Sequence, residues 1–578
     1  MHLVPNSEAD SRRWWKEGTV YQIYPSSFKD SNGDGIGDIP GIISKLDYLN
    51  ELGINIIWLS PHYKSPQVDM GYDISDYKDV HAPYGTLQDV KNLIDGCHKR
   101  NMKLIFDLVI NHTSSEHPWF QESRKSKESA KRDWYIWRPA KYDDQGNRKP
   151  PCNWRSFFNG SAWQWDEQSQ EYYLHLFATD QPDLNWENES VRQAIYDEAM
   201  KFWLDLGVDG FRVDTVNMYS KVLPFKDAPI EVSTDEFQPA QMLFCNGPRM
   251  HEFLTEMNDQ VLSNYDTMMV GELASTPDPE HVLKYVGASA KQLDMVFQMD
   301  MIHLGFGPSY KYDFHPWTLI QLKDALTKWQ QFIIDNDGWT TSFLENHDQA
   351  RSISRFGSDD PLYRSVSGKM LATFLCTLTG TLFIYQGQEI GMINLPKSWP
   401  IEEYKDIESI NYYNYIKRKT NADPAAVRLA FENIGKLARD HSRSPFQWDD
   451  TEHAGFTTGT PWMKVNDVYP EINAKAQECD QNSVLSFWKK AIKFRNTYKD
   501  YCVYGDFYLC DSKNTSTVTY IKAYKCNKIL VVLNFTKDVQ DFIIPAEVTG
   551  ELELIFNNTE STDRESLLAF EARVYLVK

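Results

Sequence analysis

The chain has 578 residues, more than a single hydrophobic core organises, so its length predicts two or three domains. Apolar residues make up 42% and charged residues 24%, with 30 Phe, 31 Tyr and 18 Trp, which excludes a disordered chain or a small peptide module. A net charge of −21, unbroken by any Lys/Arg-rich run, argues against nucleic acid or an anionic membrane as partner.

The opening stretch, Met1 to Lys16, lacks the basic-then-apolar pattern of a secretory leader, so a cytoplasmic protein is expected. Short β-branched or aromatic runs then recur, each followed by a longer amphipathic stretch. They are Thr19–Tyr24, Asn55–Leu59, Lys103–Leu108, Gly210–Asp214, Thr267–Val270, Asp294–Gln298, Thr340–Leu344 and Leu382–Tyr385. Eight strands separated by helices predict an α/β fold, a (β/α)₈ barrel. The third gap is too long for one helix, so residues 114–188, rich in Trp, Tyr, Arg and Asn, read as a subdomain inserted after strand three. The longest uncharged stretch, Met370 to Gln388, carries four Thr and reads as a buried helix and strand in preference to a membrane span. Barrel segments are expected at 1–113 and 189–508. From 509 to 578 brief alternating strands, Ser516–Ala523, Lys528–Asn534, Glu551–Ile555 and Arg573–Val577, predict an antiparallel β domain. The eight Cys form no CxxC pair and no grouping with His, which favours free thiols over a zinc site.

A parallel barrel presents its working side chains at the C-terminal ends of its strands, and here those ends are acidic. GFRVD ends strand four with Asp214, VGEL ends strand five with Glu272, and LENHD closes strand seven with His347 and Asp348. Capping of a following helix would account for any one of these carboxylates, but not for three at one barrel mouth. Crowded together, they raise the proton affinity of at least one. Arg212 lies two residues before Asp214 and so on the same strand face, where it would keep Asp214 ionised. Glu272, with no such partner in sequence, would stay protonated.

DLVINH (107–112), GFRVDT (210–215), GEL (271–273) and ENHD (345–348) resemble, in order and spacing, the signature regions of the α-amylase superfamily, glycoside hydrolase family 13. QPDLNWEN (181–188) is similar to a further motif of its oligo-1,6-glucosidase and α-glucosidase branch. YQIYPSSFKDSNGDGIGDI and NWRSFFNGSAW look closest to fungal maltases and isomaltases. The resemblance implies Asp214 as nucleophile, Glu272 as general acid/base and Asp348 as a third carboxylate holding sugar hydroxyls. It implies Asp69, Tyr72, His112, Phe177, Gln181, Arg212, His347 and Arg439 as the lining of a pocket for the non-reducing glucose, with Arg443 beside them. Around Arg443 the family pattern RTPMQW is replaced by RSPFQW, so Ser444 and Phe446 are departures.

Asp30, Asn32, Asp34, Ile36 and Asp38 stand at alternate positions of one Gly-rich loop, as in a Ca²⁺ loop, although Gly41 at the twelfth position excludes an EF-hand. In this branch the matching loop binds a structural Ca²⁺ through these side chains and the Ile36 carbonyl. No organic cofactor is implied. The expected activity is that of a monomeric, retaining, exo-acting α-glucosidase on small sugars. Thr215, directly after the nucleophile, and Ala274, two residues after the acid/base, match maltase-like relatives, where strict α-1,6 enzymes carry Val and fungal isomaltases Gln. Val216 and Asn217 match neither group. The alternatives are an isomaltase, a sucrose isomerase or transglycosylase, and a non-catalytic transporter heavy chain.

Overall fold

Runs such as IIWL, KLIFDL and TLFIY carry residues that suit a pleated, buried backbone, and they pair edge to edge in parallel. The strands are β1 (Thr19–Ile23), β2 (Ile56–Leu59), β3 (Lys103–Leu108), β4 (Gly210–Val213), β5 (Met268–Glu272), β6 (Met295–Phe297), β7 (Thr341–Ser342) and β8 (Thr381–Tyr385). Their order is β6-β5-β4-β3-β2-β1-β8-β7, and a parallel bridge from Val296 to Thr340 closes the ends into a barrel. The coordinates are a computed structural model that describes residues 12–561, 563 and 565–578, so residues 1–11 of the opening stretch lie outside the described residues.

Strand parity separates two cores. Val20, Ile56, Trp58, Ile105, Met268, Val270, Phe297 and Phe383 fill the barrel interior, while Tyr21, Ile57, Leu104, Phe106, Phe211 and Val213 face the helices outside. The same parity turns Asp107, Arg212 and Glu272 inward. Gly210 opens β4 at φ +143°, where a Cβ would lie 2.1 Å from the Met268 carbonyl oxygen, so the Gly of GFRVD lets β4 approach β5.

Four expected strands end early: β1 stops at Ile23, β4 at Val213, β6 at Phe297 and β7 at Ser342, so that Asp214 and Asp348 stand on the loops past the ladder and not within their strands. The inserted segment holds a three-stranded antiparallel sheet (Trp137–Arg138, Glu171–Leu174, Trp163–Asp166), with a bridge Tyr135–Leu184 inside it and a bridge His112–Asp183 that ties it to the barrel. The Met370–Gln388 stretch is a helix to Cys376 followed by β8. Among the described residues no helix is long and apolar enough to cross a membrane.

The C-terminal sheet is antiparallel, ordered β9-β10-β11-β13-β12, with β9 Asp506–Leu509, β10 Thr517–Tyr524, β11 Asn527–Asn534, β12 Leu552–Asn557 and β13 Ala572–Val577. The edge strand β9 was not among the expected ones. β12 runs two residues further than expected because its register against β13 shifts between Leu554 and Phe556.

Candidate active site

Asp107, Arg212 and Glu272 face inward at the C-terminal ends of three neighbouring strands, and Arg212 pairs in register with Asp107 on one side and Val270 on the other. Its guanidinium is 2% exposed and forks three ways. Nη1 donates to Asp107 at 2.8 Å and to Asp214 at 2.7 Å; Nη2 donates to Glu272 at 2.5 Å. Arg212 thus reaches both carboxylates, which corrects the expectation that it serves Asp214 alone. Burial raises Asp214, Arg212 opposes this and Asp107 adds to it, and the net result is a pKa of about 7. Glu272 is likewise pushed up to about 7 by burial, against Arg212 and with Asp214. Burial thus draws both reacting carboxyls toward the neutral form while one guanidinium holds against it.

Asp214 leaves the ladder at the end of β4 and Thr215 follows at φ +39°, an uncommon backbone for a β-branched residue. That turn directs the Thr215 hydroxyl to Asp214 Oδ2 at 3.2 Å and its amide to Glu272 at 3.4 Å. The Val216 amide bonds the Glu272 carbonyl at 3.1 Å, so the loops after β4 and β5 are tied together.

A second cluster gathers around Arg439. Its Nη2 meets Asp69 at 3.1 Å, its Nη1 Asp348 at 3.2 Å and its Nε Asp406 at 2.6 Å. Arg443 joins Asp348 at 3.0 Å and Asp406 at 3.1 Å. Burial alone would raise Asp348, but the N–H of His347 facing it and the charges of Arg439 and Arg443 outweigh burial and hold the carboxyl well below the usual range. The Gln22 amide donates to His347 Nδ1 at 2.8 Å, which leaves Nε2 facing Asp348 Oδ2 at 3.2 Å. Burial pushes His347 down to about 3, so the ring is neutral. His112 spends its Nε2 on the Tyr72 carbonyl at 3.0 Å, and Gln181 reaches both that carbonyl and Asp69.

Between the two clusters lies a cavity of about 360 Å³ that the remaining expected residues line: Tyr72, Phe177, Thr215 and Ala274, together with Asp69, His112, Gln181, Asp214, Glu272, His347, Asp348 and Arg439. Arg212 and Arg443 do not line it. The Tyr72 ring stacks on His347 at 5.1 Å with an interplanar angle of 8°, and its hydroxyl is held by Asp107 at 3.0 Å. The inserted subdomain contributes Phe157, Phe158 and Phe177 as the opposite wall.

Sequence reasoning missed Asp107, Asp406 and Lys311. Asp107 carried a signal, a carboxylate within the apolar run KLIFDLVI. Asp406 and Lys311, whose Nζ bonds the Asp348 carbonyl at 3.2 Å, sit in loops where nothing nearby marks them.

The α-amylase catalytic-domain model matches residues 22–505. The chain belongs to the α-amylase family. It is 52% identical to an α-glucosidase of Candida albicans over 98% of this chain and 99% of that one. It is 49% identical, over 98% and 99%, to an oligo-1,6-glucosidase of Parageobacillus thermoglucosidasius. Among solved structures, the isomaltulose synthase of Klebsiella sp. LX3 superposes with a TM-score of 0.92 at 40% identity, covering 98% of this chain and all of the other. The resemblance to fungal α-glucosidases and the oligo-1,6-glucosidase branch read from the motifs agrees with the first two of these relatives.

Of the two departures from the family pattern, Phe446 is a core residue: its ring packs on Trp448 at 4.2 Å and on Phe28 at 5.7 Å. Ser444 bonds the His441 carbonyl at 3.2 Å. In the Asp30–Asp38 loop, Asp30, Asn32 and Asp34 each accept from the amide two residues on, at 2.8–2.9 Å, which curls their oxygens around one turn. Asp38 caps the helix Ile39–Ile43 through the Gly41 amide, and Thr457 bonds Asp30 from the far side. These are hard oxygen donors of the kind Ca²⁺ takes. Among the described residues no three His, Cys, Asp or Glu side chains are grouped to hold a metal.

Proposed function

We propose that the chain is a retaining, exo-acting α-glucosidase that removes a terminal α-linked glucose from short sugars. The observation that carries this is the Asp214–Glu272 pair bridged by one guanidinium in a cavity crossed at one side by the Asp69–Arg439–Asp348 ion pairs. A fork this short favours the narrow carboxylate spacing of about 5–5.5 Å that goes with a covalent intermediate. The cross-cavity ion pairs leave room for the end of a chain and not for its middle.

In the first step Asp214 attacks the anomeric carbon and the glycosidic C–O bond breaks, while Glu272 gives its proton to the departing oxygen. Asp214 now holds glucose as an ester. In the second step the Glu272 carboxylate takes a proton from water, the water oxygen bonds the anomeric carbon and Asp214 departs, so the configuration is retained. Asp348, kept ionised by two arginines, and Asp69 accept hydrogen bonds from sugar hydroxyls. Tyr72 supplies a flat face for the ring. Arg212 is a positioning residue for both reacting carboxylates, which it touches directly.

Thr215 and Ala274 support a preference for maltose and sucrose over isomaltose. For the Asp30–Asp38 loop we propose a structural Ca²⁺ held by the side chains of Asp30, Asn32, Asp34 and Asp38 with the Ile36 carbonyl; in this structure the three carboxylates are not grouped and spend oxygens on the loop's own amides, so they would have to close around the ion. Eight free thiols, five of them buried, support a reducing, cytoplasmic setting. We propose that the chain acts as a monomer. Relative hydrolysis of maltose, isomaltose and sucrose, with product analysis on sucrose, tests the reading. Isomaltulose as the main sucrose product would transfer the chain to the isomerase reading.

A further inference from the structure

A cavity of about 370 Å³ shares no lining residue with the catalytic one. Four separate segments build it: Leu304, Phe314 and Trp317 past β6, the helix Ser352–Phe356 with Asp359 past β7, residues 393–397 past β8, and the last turn of the helix Pro424–Leu437. Arg355 joins the two cavities. Its Nη1 donates to Gln349 Oε1 at 2.9 Å, on the wall of the catalytic cavity, and its Nη2 donates to the carbonyls of Ile302 at 2.7 Å and Leu304 at 2.9 Å.

Two features point to an anion. The first is the sign of the lining: Arg355, Lys397 and Lys436 stand against Asp359 alone, in a chain whose net charge is −21. The second is how these cations are partnered. The three acceptors of Arg355 are neutral, and Lys436 has Asn433 Oδ1 at 3.1 Å and the face of Phe314 at 4.4 Å. Among the described residues none of the three cations has a carboxylate within ion-pair distance. Burial lowers Arg355 to about 9 with only Glu345 opposing it, so the guanidinium charge is left uncompensated. A half-buried cation in that condition is stabilised by an anion that enters from outside.

The lining also selects among anions. Three cations less one carboxylate balance a dianion, and a phosphate group brings that charge with three strong acceptor oxygens, where a carboxylate brings half the charge and two. Phe314 and Trp317 add flat faces of the kind that cover the C–H side of a sugar ring.

We propose that this cavity binds a phosphate dianion, free or as the ester of a monosaccharide, between Arg355, Lys397 and Lys436. Arg355, held by its three bonds, is the fixed point. Lys397 and Lys436 are exposed and close on the phosphate from the solvent side, and the sugar of an ester rests on Phe314 and Trp317.

The test is titration calorimetry of the full chain with inorganic phosphate and with glucose 6-phosphate, in the native protein, in the double variant Lys397→Gln/Lys436→Gln and in Trp317→Ala. The native chain should bind at least the phosphate group common to both. Two exposed lysines are lost in the double variant without disturbing the fold, and both ligands should bind it at least about ten-fold more weakly. Trp317→Ala distinguishes the two sources. About five-fold weaker glucose 6-phosphate beside unchanged phosphate assigns the ester, and no change with either ligand assigns free phosphate. No heat of binding from either ligand with the native chain, or binding that the double variant keeps in full, overturns the proposal.

Discussion

Arg212 Nη2 lies 2.5 Å from the Glu272 carboxylate, so the guanidinium two residues before the nucleophile is bonded to the acid/base as well. Lysine at this position would carry the charge but not the fork. Arg212→Lys is therefore expected to keep the fold and lower kcat by about 10²–10³. Both limbs of its pH profile should move, since both carboxylates lose a donor. A profile shifted on one limb only would return Arg212 to Asp214 alone.

Asp214→Asn should abolish maltose hydrolysis, by at least about 10⁴-fold, with an unchanged circular dichroism spectrum. Glu272→Gln should differ in kind. Aryl glucosides with good leaving groups need little protonation in the first step, so they should still release aglycone in a burst while maltose does not react. Comparable turnover of both substrates by the Glu272 variant would contradict its role as acid.

The kcat/KM profile should peak near pH 7, because burial raises both Asp214 and Glu272 to about 7 and one proton must sit on the pair. Below that the nucleophile is protonated; above it the acid is lost. Thr215→Val removes the hydroxyl that donates to Asp214, so the carboxylate is stabilised less, its pKa rises and the acid limb moves to higher pH. The same variant should shift the maltose-to-isomaltose ratio toward isomaltose by an amount worth about 1–3 kcal/mol. Full pH profiles on both sugars check the two effects separately.

How much of this was legible in the sequence depended on where each residue sits. Strand ends were readable because a polar residue closing an apolar run has few other reasons to be there, and so Asp214 and Glu272 stood out; Asp348, in the loop past β7, was reached through the ENHD motif. The reach of Arg212 was not readable. It rests on the register between β4 and β5, which no local pattern encodes. Phe446 looked like a departure in the motif and is core packing against Trp448, a partner only two residues away whose ring contact the motif alone does not reveal. The cavity around Arg355 joins segments from Leu304 to Leu437, beyond any periodicity argument.

Lys522 offers a stability test away from the active site. It is fully buried between barrel and β domain, bonded to Thr379, and burial lowers its pKa to about 7. Between pH 7 and its ordinary value near 10.5 the unfolded chain binds the extra proton, so this residue makes stability rise with pH across that window. Lys522→Met should remove that slope, raising Tm most at and below pH 7. Parallel Tm-against-pH curves for native and variant would contradict the buried charge.

Chelation should lower Tm more than it lowers activity at moderate temperature, because the Asp30–Asp38 loop tethers the chain between β1 and the helix Ile39–Ile43 and not the carboxylate pair. Scanning calorimetry with and without added Ca²⁺ measures this. Prompt, Ca²⁺-reversible loss of activity in a folded, chelated sample would place the ion in the reaction instead.

The account turns on a covalent bond between glucose and Asp214. A fluorinated α-glucosyl fluoride that forms the ester and hydrolyses slowly, followed by proteolysis and mass spectrometry, locates that bond directly. The expected result is one glycosyl unit on the peptide containing Asp214, lost on incubation with excess maltose. A glycosyl unit on Glu272, or no adduct under conditions where the reagent is consumed, would contradict it.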